Sequence, residues 1–241
     1  MISQIGVAIL DDHQSIIDGF TYRLTMSPKI RIVGTATYGE NLEPMLAGND
    51  IDVLLLDVSV PNSPEDHNPY PVLHIIPHLL KQYPKISILI ISMFTQRSLI
   101  DALVNTGISG YIFKDDQSAI QKLDKIVEKV ANGGIYYSQE ACRNSIECSA
   151  ESLLTQRQLE ALSLCASRPD SDSAALAGKM GITGSTMRNL LSGAYLRLGV
   201  RTRAAAIAKA QQLEILPNTP ELKTVAGKKL ARRSVKPKKH S

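Results

Sequence analysis

Residues 51–57 read Ile-Asp-Val-Leu-Leu-Leu-Asp, an apolar run that ends in Asp57. The run is too short for a typical helix and lacks the polar alternation of a half-exposed strand, so it predicts a strand buried on both faces. Such strands belong to parallel sheets covered by helices, where ligands collect at the carboxyl ends of the strands. Asp57 is therefore a candidate site residue, although a lone aspartate at a strand end more often caps a turn.

Four other apolar runs share this form and alternate with amphipathic segments. The predicted strands are 5–10, 30–36, 53–57, 86–92 and 110–114, and the predicted helices are 13–24, 40–46, 72–82, 96–106 and 117–132. This alternation predicts a doubly wound α/β domain with a five-stranded parallel sheet. Right-handed crossovers bring the strand ends to one edge. The polar residues expected there are Asp11, Asp12, Asp57, Ser92 and Lys114.

This set of side chains indicates phosphoryl chemistry. Three carboxylates placed close together repel one another unless a hard cation lies between them, and Mg²⁺ prefers such oxygen ligands. The Lys114 ammonium and the Ser92 hydroxyl are suited to hold phosphoryl oxygens while Asp57 attacks a phosphorus atom. Each residue alone could have a merely structural role, and the prediction of an aspartyl phosphate at Asp57 rests on their joint occurrence.

With Pro61 four positions after Asp57, these residues resemble the receiver domain of bacterial response regulators, and the resemblance covers residues 1–132. It implies a Mg²⁺ site formed by Asp11, Asp12, Asp57 and the backbone carbonyl of Ser59. It also implies that Ser92 and Lys114 contact the phosphoryl group and that Tyr111 is a switch residue that changes its rotamer.

The loop from Val58 to Pro71 departs from this family. It contains Pro61, Pro64, Pro69 and Pro71, so it cannot be regular helix or inner strand. The family usually has a short glycine-containing turn after the proline, whereas this chain inserts residues 62–71 without glycine. The insertion is expected to alter phosphoryl access or the choice of partner, and not to abolish metal binding.

A small helical domain is predicted for residues 152–216, after a linker at 133–151 that contains one short helix. Thr155 and Gln158 have the spacing of a capping box that opens an amphipathic helix. A small-residue helix at 173–180 and a third helix capped by Thr183 are joined by a glycine turn, which suggests a helix-turn-helix motif. A fourth helix is expected at about 202–213.

This domain resembles the DNA-binding domain of LuxR/NarL-type regulators. The matching residues are Leu154-Thr155, Arg157, Glu160, Leu162, Leu176-Ala177, Gly181-Ile182-Thr183, Thr186-Met187-Arg188, Leu198-Gly199-Val200 and Arg203. The resemblance implies a recognition helix in the major groove, with base-edge contacts from Thr186, Arg188, Asn189 and Ser192 and phosphate contacts from Arg197, Arg201 and Arg203. Two extra residues in the loop 168–172, Leu190 in place of a frequent histidine, and Ser192-Gly193 depart from the family.

The charge of the chain is concentrated at its end. Residues 217–241 contain six lysines and two arginines against Glu221, a charge of +7, which leaves −3 for residues 1–216. This basic tail is expected to be disordered and to bind an anionic partner through sequence-independent, salt-sensitive phosphate contacts. The three cysteines, Cys142, Cys148 and Cys165, match neither metal-ligand spacing nor a disulfide framework, and we expect them to be reduced.

The sequence thus predicts a cytoplasmic two-component response regulator and transcription factor. It would be phosphorylated on Asp57 by a sensor histidine kinase, form a homodimer on activation and bind double-stranded DNA. No apolar segment reaches about 18 residues, so no membrane association is expected. An alternative is a protein-interaction regulator with weak or no sequence-specific DNA binding. An aspartate-nucleophile phosphatase ranks third because Ser59 stands where such enzymes carry a second aspartate, and the chain is not expected to be an enzyme.

Overall fold

A computed structural model describes residues 4–139, 141 and 153–218, which form a parallel α/β domain followed by four helices. The strands are β1 (Ile5–Leu10), β2 (Ile30–Ala36), β3 (Val53–Leu56), β4 (Ser87–Ser92), β5 (Gly110–Phe113) and β6 (Tyr136–Tyr137). The helices between them are α1 (Gln14–Thr25), α2 (Leu42–Gly48), α3 (Val72–Gln82), α4 (Arg97–Val104), α5 (Gln117–Gln121) and α6 (Leu123–Ala131). The C-terminal helices are α7 (Gln156–Ser167), α8 (Ser173–Lys179), α9 (Gly184–Leu198) and α10 (Arg203–Gln212).

The sheet confirms the doubly wound fold. All its strands are parallel, and their order is β2-β1-β3-β4-β5-β6. The chain winds outward in one direction from β1 to β2 and in the other from β3 onward. The carboxyl ends of β1 and β3 therefore flank the point where the winding reverses, which is the usual ligand-binding position in such folds.

The prediction of five strands was wrong by one. Tyr136 and Tyr137 form a sixth strand that pairs with Gly110 and Tyr111 of β5. The predicted linker at 133–151 therefore begins inside the receiver sheet. A two-residue strand has no periodicity, so the hydrophobic pattern could not reveal it. The expected short helix of the linker lies outside the described residues, as do residues 219–241 of the basic tail.

The helix expected at 117–132 is divided into α5 and α6. Lys122 separates them, with φ −107° and ψ 20°, values that lie outside the helical region. Asp116 caps the first piece by accepting a hydrogen bond from the Ala119 N–H at 3.0 Å. A 3₁₀ turn at Gly39–Asn41 also precedes α2.

The core has two layers because neighbouring residues of each strand point to opposite faces. Ala8 and Leu10 of β1 pack in the layer that includes α2, α3 and α4. Val7 and Ile9 pack in the other layer, with α1 and α6. All four side chains are buried. The strands are therefore covered on both faces, as the uninterrupted apolar runs predicted.

Two of the C-terminal helices begin at the predicted caps. Thr155 and Gln158 form the complete capping box at the start of α7, and Thr183 accepts a hydrogen bond from the Thr186 N–H at the start of α9. Gly193 lies inside α9 where that helix crosses α7: a Cβ built there would be 2.6 Å from Nε2 of Gln158. The glycine therefore leaves room for the Gln158 side chain, which completes the capping box of α7. Cys165 is a free, buried thiol, as expected of a packing residue.

No helix in the described part of the chain is long and apolar enough to cross a membrane.

The inserted loop, residues 62–71, closes against the turn before α2. Pro61 and Pro69 form an isolated antiparallel bridge, and the Gly39 N–H donates to the Pro61 carbonyl at 2.9 Å. Tyr70 lies over Gly39 so closely that a Cβ built on this glycine would be 2.2 Å from Cγ of the tyrosine. The glycine is thus required for the loop to pack against the domain.

We expect Gly39→Ala to destabilise the domain by about 1–3 kcal/mol, because the added methyl group overlaps a half-buried ring that cannot move without its loop. Denaturant unfolding measures the change. Gly19→Ala is the matched control: Gly19 is an exposed glycine inside α1 with no atom within 4 Å of a built Cβ. Alanine there should raise stability by about 0.5–1 kcal/mol. Equal effects of the two substitutions would contradict the packing of Tyr70 on Gly39.

Candidate functional site

The strand ends at the winding reversal are held in register by backbone hydrogen bonds that continue beyond the strands. The Asp57 N–H donates to the Leu10 carbonyl at 2.9 Å, and the Lys114 N–H donates to the Ser92 carbonyl at 2.9 Å. The Asp11 N–H reaches the Ala36 carbonyl at 3.2 Å. The backbone of the sheet therefore fixes the positions from which these side chains extend.

Lys114 joins the two most deeply buried carboxylates of this edge. Its Nζ lies 2.7 Å from Oδ2 of Asp11 and 2.8 Å from Oδ2 of Asp57. The side chains of Asp11 and Asp57 are only 3% and 4% exposed. The second oxygen of Asp57 accepts a hydrogen bond from the Val58 N–H at 2.7 Å. The structure thus brings together three of the residues predicted from separate strands.

Burial dominates the protonation equilibria of this site. It raises the pKa of Asp57, and the negative charge of Asp11 adds to the rise, while the positive charge of Lys114 and a backbone hydrogen bond from Ser59 oppose it. For Lys114, burial alone would lower the pKa, but the charges of Asp57 and Asp11 outweigh it and raise the pKa. Lys114 is therefore a permanent cation that offsets part of the negative charge.

Asp12 lies at the more open side of the same edge, beside His13. The Nδ1 of His13 is 2.6 Å from Oδ1 of Asp12. Burial raises the pKa of Asp12 and the neighbouring His13 lowers it, with a net rise. One ligand atom from each of Asp11, Asp12 and His13 lies within 4.8 Å of the others. His13 was not among the predicted site residues, and its place directly after the acid pair was the only signal for it.

Ser92 and Tyr111 meet at the backbone of Phe94. The Tyr111 hydroxyl donates to the Phe94 carbonyl at 2.7 Å, and the Phe94 N–H points to Oγ of Ser92 at 3.4 Å. Both side chains are completely buried. Burial raises the pKa of the Tyr111 phenol, with a further rise from the charge of Asp57. Phe94 was not predicted as a site residue because it contributes only its backbone N–H and carbonyl, and no side-chain pattern in the sequence indicates such a contribution.

The second group of predicted residues lies on the outer face of α9. Thr186, Arg188, Asn189 and Ser192 are exposed. The opposite face of the helix buries Met187, Leu191, Ala194 and Leu198 in the core of the C-terminal helices. The polar side chains therefore form one continuous exposed strip along the helix.

The three arginines predicted to contact phosphate differ in their surroundings. Arg197 and Arg201 are exposed. Arg203 is half-buried, and its guanidinium donates to the Ser171 carbonyl and, at 3.3 Å, to Oγ of Ser173. Arg203 thus ties the loop before α8 to the start of α10, while a phosphate contact from it remains a prediction.

The chain is similar to proteins of known family. Residues 7–128 match the response regulator receiver domain. The transcriptional regulatory protein DegU of Brevibacillus brevis is 26% identical, over 86% of this chain and 93% of DegU. The transcriptional regulatory protein DesR of Bacillus subtilis is 24% identical, over 86% of this chain and 97% of DesR.

Solved structures share the fold at lower identity. The response regulator RcsB of Salmonella enterica serovar Typhimurium, bound to the rprA promoter with a phosphomimetic, has a TM-score of 0.62 and 19% identity. The alignment covers 87% of this chain and 99% of that one. A structure of two RcsB dimers bound to two parallel DNAs has a TM-score of 0.56 and 21% identity, over 88% of this chain and 100% of that one.

We expect Lys114→Met to destabilise the α/β domain by about 3–5 kcal/mol near pH 7, because it leaves two buried carboxylates without their cation. A carboxyl group with a raised pKa stabilises the fold only while it is protonated, so the penalty should shrink as the pH falls through the raised pKa of Asp57. Denaturant unfolding at a series of pH values from about 7 downward measures both effects. Lys122→Met, at an exposed lysine, is the control and should change stability little at any pH of the series. A penalty that does not depend on pH would argue against the charge explanation.

Proposed function

The chain belongs to the family of response regulator receiver domains, and we propose that it is a two-component response regulator that accepts a phosphoryl group on Asp57 and binds DNA through α9. The observation that carries the proposal is the Lys114 ammonium, which lies between Asp11 and Asp57 at the winding reversal of the sheet. The exposed polar strip of α9 supplies the readout. The names of DegU and DesR describe them as transcriptional regulators.

In the proposed reaction, a carboxylate oxygen of Asp57 attacks the phosphorus atom of a phosphohistidine on a sensor kinase. The new bond is an acyl phosphate O–P bond, and the P–N bond to the histidine breaks, with its electron pair leaving on the imidazole. The Lys114 ammonium and the Ser92 hydroxyl, which lie at the ends of adjacent strands, would hold the oxygens of the transferred group. Lys114 must release Asp57 from their hydrogen bond as it takes up the phosphoryl oxygens.

The acidic residues fit a Mg²⁺ ion by the chemistry of their oxygens. Asp11, Asp12, Asp57 and the backbone carbonyl of Ser59 would hold it. A bound Mg²⁺ ion would neutralise charge that develops on the phosphoryl oxygens. The raised pKa values of Asp12 and Asp57 support the fit, because burial disfavours the anionic forms of these groups and a bound cation would stabilise them.

The proposed readout places α9 in the major groove. Arg188 is suited to pair with guanine and Asn189 with adenine, while the exposed Arg197 and Arg201 would contact phosphates. One of the similar structures contains RcsB dimers bound to DNA, and we propose that this chain also binds as a homodimer to two half-sites. The alternative is a regulator that acts through protein contacts and does not read DNA sequence.

We expect Asp57→Ala to abolish phosphorylation by acetyl phosphate in the presence of Mg²⁺, because the nucleophilic carboxylate is lost. Intact-protein mass spectrometry detects the added phosphoryl group. Asp18→Ala, at an exposed acid of α1, is the control and should react like the unchanged chain. Undiminished phosphorylation of Asp57→Ala would rule out this acceptor.

Selection of duplexes from a random library by the full-length chain distinguishes the two readouts. A transcription factor should enrich a motif with two-fold symmetry, whereas a protein-interaction regulator should enrich none. Arg188→Ala should then cost about 1–3 kcal/mol in binding and relax the preference at one base position. Arg197→Ala should weaken all sequences alike, as expected for a phosphate contact.

A further inference from the structure

The inserted loop, residues 62–71, has a fixed conformation and faces the C-terminal helices. Its ends are joined because the Tyr70 N–H donates to the Val60 carbonyl at 2.7 Å and the Asn62 N–H donates to the Asn68 carbonyl at 2.9 Å. The Glu40 N–H ties it to the receiver by donating to the Asn62 carbonyl at 2.9 Å. These bonds fix the position of the Asn62 side chain.

One face of α7 carries polar residues that are nevertheless buried. Glu160, Ser163 and Ser167 are spaced three and four residues apart, so they share one side of the helix. Their residues are only 9%, 6% and 1% exposed. A polar face normally lies in solvent. Here the receiver covers part of it, because α7 packs against α3 and the inserted loop.

Two polar contacts join α7 to the receiver. Ser167 Oγ donates to Oδ1 of Asn62 at 3.2 Å, and Asn62 Nδ2 donates to the Ser167 carbonyl at 3.0 Å. Nδ1 of His74 lies 3.1 Å from Oε1 of Glu160, whose other oxygen accepts a hydrogen bond from Arg157 at 2.8 Å. Each contact satisfies groups that are otherwise withdrawn from water, so separating the surfaces without hydrating these groups would be costly.

A third contact comes from a second loop, the one that joins β4 to α4. Gln96, which follows β4 and precedes α4, donates to the carboxylate of Glu214, just beyond α10. Asn62 follows Asp57 by five residues, and Gln96 follows Ser92 by four. Two of the loops that leave this edge of the sheet, those after β3 and β4, therefore contact the C-terminal part of the chain.

This docking does not cover the DNA-facing side of α9. Arg188, Asn189 and Ser192 are exposed while α7 is buried against the receiver. The covered surface belongs to α7 and the exposed surface to α9 of the same small domain. The receiver can therefore hold α7 while α9 stays exposed.

We propose that the inserted loop and α3 form a docking surface for α7 that holds the C-terminal helices on the receiver with α9 open, so that the docked chain binds DNA. In this arrangement phosphorylation would change the contacts between the receiver and α7. It would not act by uncovering the recognition helix. The inference rests on the proposed function, because it takes α9 as the DNA-binding helix.

The test joins the inserted loop to α7 by a reversible covalent cross-link. Asn62→Cys and Ser167→Cys are combined in a chain with Cys142→Ser and Cys148→Ser; the buried Cys165 is kept. A short bis-methanethiosulfonate reagent links the two thiols without requiring disulfide geometry, and a reductant releases them. The control pair is Asn62→Cys with Ser192→Cys, which replaces an exposed residue of α9. Mass spectrometry gives the yield of the internal bridge.

We expect the Asn62–Ser167 pair to bridge at least about tenfold faster than the control pair, because docking raises the effective concentration of the two thiols. The bridged chain should bind the duplex enriched by the selection with a Kd within about threefold of that of the reduced chain, because locking a state that already binds shifts no equilibrium. If the first pair does not fold, His74→Cys with Glu160→Cys provides the same measurement at the second contact.

Three outcomes would overturn the inference, each for a different reason. Equal bridging of both pairs would show that α7 is not docked, whatever the chain does with DNA. A loss of DNA binding on bridging that the reductant restores would show that docking closes α9. Absence of binding in both forms would refute the proposed DNA readout, and the open docked state with it.

Discussion

The arrangement at the carboxyl edge of the sheet depends on one constraint, which is the burial of two carboxylates beside a single ammonium. Removing an ionised carboxylate from water costs several kcal/mol unless a partner and hydrogen bonds replace the water. Asp11 and Asp57 obtain this replacement from Lys114, which comes from a strand on the far side of β4. The pairing is possible only because the parallel strands end together, so the order of the sheet and the charge balance of the site depend on each other.

The acids at this edge are only partly stabilised as anions, and this matters for function. Burial raises the pKa values of Asp12 and Asp57 in spite of the nearby His13 and Lys114, which lower them. A site in this condition gains from an added cation and responds strongly to a change in its charge. Phosphorylation would replace the single negative charge of the Asp57 carboxylate by a phosphoryl group of about −1.5 to −2 charges, at a point where Lys114 is already shared between two acids. The surroundings of Asp57 would therefore be sensitive to this modification.

Most of the fold could be predicted because its elements carry periodic patterns. The five longer strands were predicted within one residue at each end, and the caps at Thr155 and Thr183 were predicted correctly. The predicted meeting of Asp11, Asp57 and Lys114 followed from topology alone. The strand at Tyr136–Tyr137 and the division at Lys122 could not be predicted, because both are shorter than the period of any pattern.

The tertiary contacts of the insertion were also beyond sequence reasoning, for a different physical reason. Glu160 and Ser167 look like the solvent face of an amphipathic helix, and nothing local indicates that Asn62 or His74 would cover them. Contacts between distant polar side chains depend on the final arrangement of whole elements. The departure of residues 62–71 from the family pattern indicated where such contacts would arise, but not their partners.

The loops after β3 and β4 start at the proposed acceptor site and contact the C-terminal part of the chain. This shared position has a thermodynamic consequence. If phosphorylation of Asp57 changes the affinity of the docked helices for DNA, then DNA must change the stability of the phosphorylated state by the same factor, because coupling between two binding events is reciprocal. With α9 already open, contacts such as Asn62–Ser167 and Gln96–Glu214 offer one route for that coupling within the chain. The inserted loop, the segment in which the receiver departs from its family, therefore occupies a position from which it can influence the strength of the response.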